Sequence, residues 1–167
     1  MTNDFIALIA NVALSLSFIV GLVFGIAQVR AAARDRRERL TLEAMRNFQT
    51  REFSELMVYI ISHNMPSSRE ELEALPANDQ AYFIQFGQEM EMLGILVAEK
   101  YIDIDLVDKT LGSLVSTSWK KYKTVVQSIR KMQPDPFLNE YFQWLAERIE
   151  ERMRDNPRKP FYATVKK

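Results

Sequence analysis

Few side chains in this sequence are able to do chemistry, and their spacing decides what chemistry is open to them. There is one histidine, His63, and no cysteine. Thiolate nucleophiles, disulfides and cysteine metal sites are therefore excluded. A di-iron bundle needs Glu-x-x-His pairs on two helices, which one histidine cannot supply. A Ser-His-Asp relay would have to pass through His63, and no serine sits in a nucleophile elbow. His63 precedes the loop "NMPSS" and reads as a residue at a helix C-terminus. Glu89 and Glu91, in "EMEM", lie two apart. On a helix they point to different sides and make no acid–base pair. No glycine-rich phosphate loop is present. The sequence thus predicts a protein that is not an enzyme and that takes no metal or cofactor.

One cluster carries binding chemistry. In "SWKKYKTVVQSIRKM", Lys120, Lys121, Lys123, Arg130 and Lys131 surround Trp119 and Tyr122. Bases beside aromatics can hold phosphates and stack on nucleobases, or sit at a lipid surface. They can equally pair with acidic helices of the same chain. Charge is ordered in blocks although it balances overall, with 22 bases and 22 acids. From Glu52 to Asp108 acids dominate, and from Lys109 to Pro134 there are bases and no acid. Helical spacing turns Trp119 inward and the lysines toward water. This patch is the candidate site for an anionic ligand such as a nucleotide. The neutral total argues against a general nucleic-acid-binding domain.

The element that must position everything else is at the start. Phe5 to Val29 reads "FIALIANVALSLSFIVGLVFGIAQV", without charge, proline or histidine. As a helix it spans roughly 37 Å, enough to cross a hydrocarbon core of about 30 Å. A secretory signal would begin with a base and have a shorter apolar run. Here Asp4 precedes the run and no base does, so the segment is expected to remain as an anchor. Arg30, Arg34, Arg36, Arg37 and Arg39 follow it. The positive-inside rule then places the N-terminus outside and the rest in the cytoplasm, with the arginines near the lipid headgroups. Ala13, Ser17, Gly21 and Gly25 recur every four residues. Such a small-residue stripe lets two backbones approach in lipid, which predicts self-association.

Beyond the span the composition is helical. No proline or glycine occurs between Ile26 and Met65, so the membrane helix is expected to continue as a basic stalk. Met45, Phe48, Phe53, Leu56, Met57 and Ile60 then form an apolar stripe. Ser68 and Glu71 match a capping box. Asn78 or Asp79 is expected to cap the next helix, which contains Gly87 and Gly94 on nearly one face, as close packing requires. Asp103 or Asp105 caps a helix running through Leu106, Leu111, Leu114, Val115 and Trp119. Asp135 with Pro136 reads as the start of a last helix, with Phe137, Tyr141, Trp144, Leu145 and Ile149 on its buried side. The predicted fold is all-α: one N-terminal transmembrane helix continuing into a cytosolic bundle of four or five helices. The predicted organisation is an anchor (1–29), a juxtamembrane stalk (30–51), a helical domain (52–155) and a loose basic tail (156–167).

The layout, with "YIDIDLVDKTLGSLVSTSW" and "FLNEYFQWLAERIE", resembles a family of small bacterial proteins. These have one membrane helix and a helical cytosolic domain of unknown function. That resemblance implies no activity and no catalytic residues. A second likeness is architectural only: some membrane-anchored effectors of bacterial antiviral defence join one membrane helix to a cytosolic sensor of cyclic nucleotides. Two functions are therefore expected. The first is a non-enzymatic inner-membrane protein that self-associates and binds a cytosolic protein partner. The second is an effector gated by a phosphate-rich messenger.

Overall fold

The computed structural model describes residues 2–132 and 135–164, with the side chains of residues 2–4, 37 and 164 left undescribed. It is all-α, with eight helices among the described residues. They are α1 (Thr2–Asn47), α2 (Arg51–Ser62), α3 (Arg69–Glu73), α4 (Ala77–Ala98), α5 (Ile104–Thr110), α6 (Gly112–Met132), α7 (Glu140–Asp155) and α8 (Phe161–Thr164). The chain divides into two compact units, one ending at Leu40 and one beginning at Thr41.

The first unit is the greater part of α1. Every described side chain from Phe5 to Leu40 is exposed. An apolar helix with no buried face has no core of its own to join. It is long and apolar enough to cross a membrane, by length and composition. The hydroxyls of its two serines are satisfied internally, Ser15 Oγ donating to the Asn11 carbonyl at 2.9 Å and Ser17 Oγ to that of Ala13 at 2.8 Å. That is the arrangement a polar side chain needs in hydrocarbon.

The second unit is a packed bundle. Helix α7 lies between α4 and α6, α2 packs on α4, and α3 and α5 pack on α6. One continuous core joins Phe53, Leu56 and Ile60 of α2 to Phe86, Met90 and Leu93 of α4, Tyr122 and Val125 of α6, and Phe142, Leu145 and Ile149 of α7. Phe48 and Met57 are half-buried against it. The apolar stripe read from the sequence is thus the inward face.

Local signals explain most helix ends. Thr50 caps α2 by accepting from Phe53 N at 3.1 Å. His63 is the C-cap of α2, its N–H donating to the Tyr59 carbonyl. Ser68 caps α3 by accepting from Glu71 N at 3.3 Å. The capping box is shifted, because Glu71 reaches the N–H of Ser67 rather than that of Ser68. The Ser67 N–H and hydroxyl hold the Glu71 carboxyl below its ordinary range. Asp103 caps α5, accepting from Asp105 N at 2.8 Å.

Five expectations are corrected. The cap of α4 is Pro76, with Asn78 and Asp79 inside the first turn. Gln80 Nε2 satisfies the Leu75 carbonyl there at 2.8 Å. The helix read through Asp103 to Trp119 breaks at Leu111 into α5 and α6. The last helix starts at Glu140, not at Pro136. Asp135 instead accepts from Phe137 N at 3.0 Å, closing a tight local turn. Asn139 then takes a left-handed φ of 53°, which asparagine tolerates better than most residues. Phe137 falls on that turn and is exposed rather than buried. Lastly, the tail contains the short helix α8; residues 165–167 lie outside the described residues.

Candidate functional site

The five bases predicted as an anion patch all lie on α6, and the structure gives them different tasks. Lys121 Nζ donates to the carbonyls of Ile60, Ile61 and His63 at 2.8, 2.6 and 3.1 Å. A cation thus closes the C-terminal end of α2, where unpaired carbonyls and the helix dipole favour positive charge. Arg130 plays the same part for the turn before α7. Its Nε and Nη2 donate to the Leu138 carbonyl at 3.0 and 2.6 Å, and its Nη1 to Gln143 Oε1 at 2.7 Å. Lys120 Nζ meets Glu150 at 3.1 Å, and Ser116 Oγ donates to the same carboxylate at 3.0 Å. The bond from Lys120 is the main cause that holds the Glu150 carboxyl below its ordinary value. This pairing is therefore in place at neutral pH and is lost as pH falls through that lowered value. Lys123 and Lys131 are exposed. Trp119 and Tyr122 are buried, so neither is open for base stacking. Burial also pushes the Tyr122 phenol up, and its hydroxyl donates to the Phe83 carbonyl at 2.8 Å.

The stripe of α1 has different surroundings. Phe18, Gly21, Leu22, Gly25, Ile26 and Val29 border a shallow apolar notch of about 580 Å³. A Cβ placed on Gly21 or Gly25 would meet nothing within 4 Å. The other three glycines differ. A Cβ on Gly87 would touch Asn139 and Tyr122, one on Gly94 would overlap Tyr141, and one on Gly112 would press on Asp108. Of the arginines that follow, Arg30, Arg34, Arg36 and Arg39 are exposed, and Arg34 Nε pairs with Glu38 at 3.0 Å. The side chain of Arg37 lies outside the described residues.

Sequence reasoning passed over Glu91. Its two carboxylate oxygens accept from Tyr141 N at 3.2 Å and Phe142 N at 2.8 Å. A residue of α4 thereby caps α7, fifty positions away. Gly87, Glu91 and Gly94 follow at spacings of four and three, so they share one face of α4. That face receives the first turn of α7. Asn139 Nδ2 donates to the Gly87 carbonyl at 3.2 Å. The arrangement makes Glu91→Ala a test: two half-buried N–H groups lose their acceptor. The loss should be about 2–3 kcal/mol in urea unfolding, and Glu91→Gln, which keeps one acceptor oxygen, should lose less.

Among the described residues, no group of three His, Cys, Asp or Glu side chains is placed to hold a metal ion. His63 stacks on Tyr59 with ring centroids 4.4 Å apart. A second gathering of bases, Lys109, Arg152, Arg158 and Lys159, lines a cleft by the end of α7. No sequence pattern unites residues so far apart.

A family described as a domain of unknown function (DUF4760) matches residues 15–149. The chain belongs to the DUF4760 family. No curated protein and no solved structure matches the chain. The DUF4760 match begins inside the apolar part of α1, includes Ser17, Gly21 and Gly25, and ends at Ile149 in α7. It thus takes in parts of both compact units, as the resemblance noted above implies. It stops short of Arg152 and the segment that follows.

Proposed function

We propose that this DUF4760 protein is a non-enzymatic, single-pass inner-membrane protein. Its N-terminus is outside and its helical domain is cytoplasmic. It self-associates through Ala13, Ser17, Gly21 and Gly25, and its helical domain binds a cytosolic partner. One observation carries the reading. Three glycines of the bundle each face a close neighbour, whereas Gly21 and Gly25 border an open notch. Glycine costs a helix about 1 kcal/mol relative to alanine. In the bundle, close packing within the chain accounts for that cost. Among the described residues none supplies such a contact at Gly21 or Gly25, and a second membrane helix would.

The test is a membrane two-hybrid assay of the full chain. Gly21→Ile with Gly25→Ile should lose most of the association signal. Val23→Leu, on the opposite side of α1, should keep it. Equal signals would end the self-association reading. Mass spectrometry of membrane-extracted protein should return the full 19.5 kDa chain. A shorter product lacking the apolar segment would make α1 a cleaved signal instead.

A further inference from the structure

We propose that the cleft at the C-terminal end of α7 binds a compact phosphate-bearing anion. It encloses about 450 Å³ between α5, the last turn of α7 and the segment following it. Small-molecule sites occupy roughly this range of volume. Four bases line it, Lys109, Arg152, Arg158 and Lys159, against two acids, Asp105 and Asp108.

One of the acids is neutralised by a base of the cleft itself. Arg152 donates to Asp105, so that pair is neutral and ties α7 to α5. A carboxylate oxygen of Asp108 sits close against Gly112, the first residue of α6. A helix start favours negative charge. Neighbouring Arg154 is bound to Asp155 at 2.9 Å. Lys109, Arg158 and Lys159 then outnumber Asp108 and set the sign of the cleft. Like charges held around one hollow repel, and a dianion between them removes that repulsion. Guanidinium matches phosphate oxygens with paired N–H donors, and the lysines add point charges. The bases of α6 make the contrast. Lys121 and Arg130 donate to backbone carbonyls and Lys120 to Glu150. The cleft is open to solvent, so binding should weaken as salt screens it.

A soluble phosphate compound and a phospholipid headgroup present the same chemistry. The experiment therefore uses the full chain in nanodiscs of two compositions, with inorganic pyrophosphate as probe, followed by calorimetric titration at low ionic strength. In phosphatidylcholine discs the unmodified chain should bind. Arg158→Ala with Lys159→Ala should weaken binding about tenfold or more, a change of about 1.4 kcal/mol. Both positions are exposed, so the fold is not at stake, and unchanged tryptophan fluorescence checks this. Lys123→Ala with Lys131→Ala should leave the affinity alone. In discs rich in phosphatidylglycerol, unchanged pyrophosphate binding assigns the cleft to a soluble anion. Loss of that binding there assigns it to the headgroup. No binding in phosphatidylcholine discs, or equal affinity with and without Arg158 and Lys159, overturns the proposal. The inference is independent of the helix contact at Gly21 and Gly25, since neither variant touches it.

Discussion

A Gly94→Val chain should lose about 3 kcal/mol of stability, the upper end of what overpacking usually costs. Gly94 is buried where α4 meets the first turn of α7. A Cβ there would overlap the Tyr141 carbonyl and come within 2.8 Å of the Tyr141 side chain. Backbone cannot rotate aside as a side chain can. The first turn of α7 would have to lift, taking Phe142 out of the core and both N–H groups away from Glu91. Alanine gives a sharper comparison. Helix propensity alone favours Gly→Ala by about 1 kcal/mol at any helical glycine. At Gly87 a Cβ would lie 3.4 Å from Asn139 Nδ2 and 3.5 Å from Tyr122 Cε1, which is ordinary contact. Gly87→Ala should therefore be neutral or stabilising, whereas Gly94→Ala should destabilise. Urea unfolding of the full chain in detergent, followed by tryptophan fluorescence, reads the bundle, because Trp119 is buried and Trp144 packs against the core. If Gly94→Ala proves as stable as Gly87→Ala, the close approach of α4 and α7 is wrong.

The two glycines and close packing as their reason were legible in the sequence, and the partner they pack against was not. Their spacing of seven announces a common face, but the partner of that face is Tyr141, far along the chain. Periodicity reports which side of a helix is buried and not what lies against it. The same limit explains Glu91. Judged beside Glu89 it has no partner, and its two hydrogen bonds exist only once α7 has docked. Lys121 and Arg130 look like a solvated basic face until α2 and the turn before α7 bring carbonyls to them. What could be read was local: the apolar run of α1, the caps at Ser68 and Asp103, the inward stripe of α2. The misreading at Asp135 is also local. Asp-Pro opens a turn as readily as a helix, and only the left-handed Asn139 decides between them. The candidate sites divide in the same way. The notch on α1 follows from spacing within one helix, whereas the cleft lined by Lys109 and Arg158 depends on tertiary closure.

Phe142→Ala should cost about 3–5 kcal/mol, the range for truncating a buried aromatic. Phe142 is fully buried. Its ring meets Trp119 at 5.1 Å, Tyr122 at 5.6 Å and Phe86 at 6.4 Å, each edge to face. Those partners come from α6 and α4, so one side chain of α7 links the three central helices. Edge-to-face pairs add to the burial itself, and little can move in to fill the space. Tyr122 is held on its far side by stacking on Phe83 at 4.3 Å and by its bond to the Phe83 carbonyl. A domain of this kind has about 5–15 kcal/mol in total, so the variant should lose a substantial fraction of its stability. Phe142→Leu, which leaves a smaller void, should cost clearly less. Phe137→Ala should fall within about 0.5 kcal/mol of the unmodified chain, because Phe137 is 68% exposed on the turn before α7. The pair sets the sequence reading against the folded one, since helical spacing places Phe137 on the buried side of the last helix and does not single out Phe142. Equal costs at the two positions would mean that the last helix begins at Pro136 and that the aromatic cluster is misplaced.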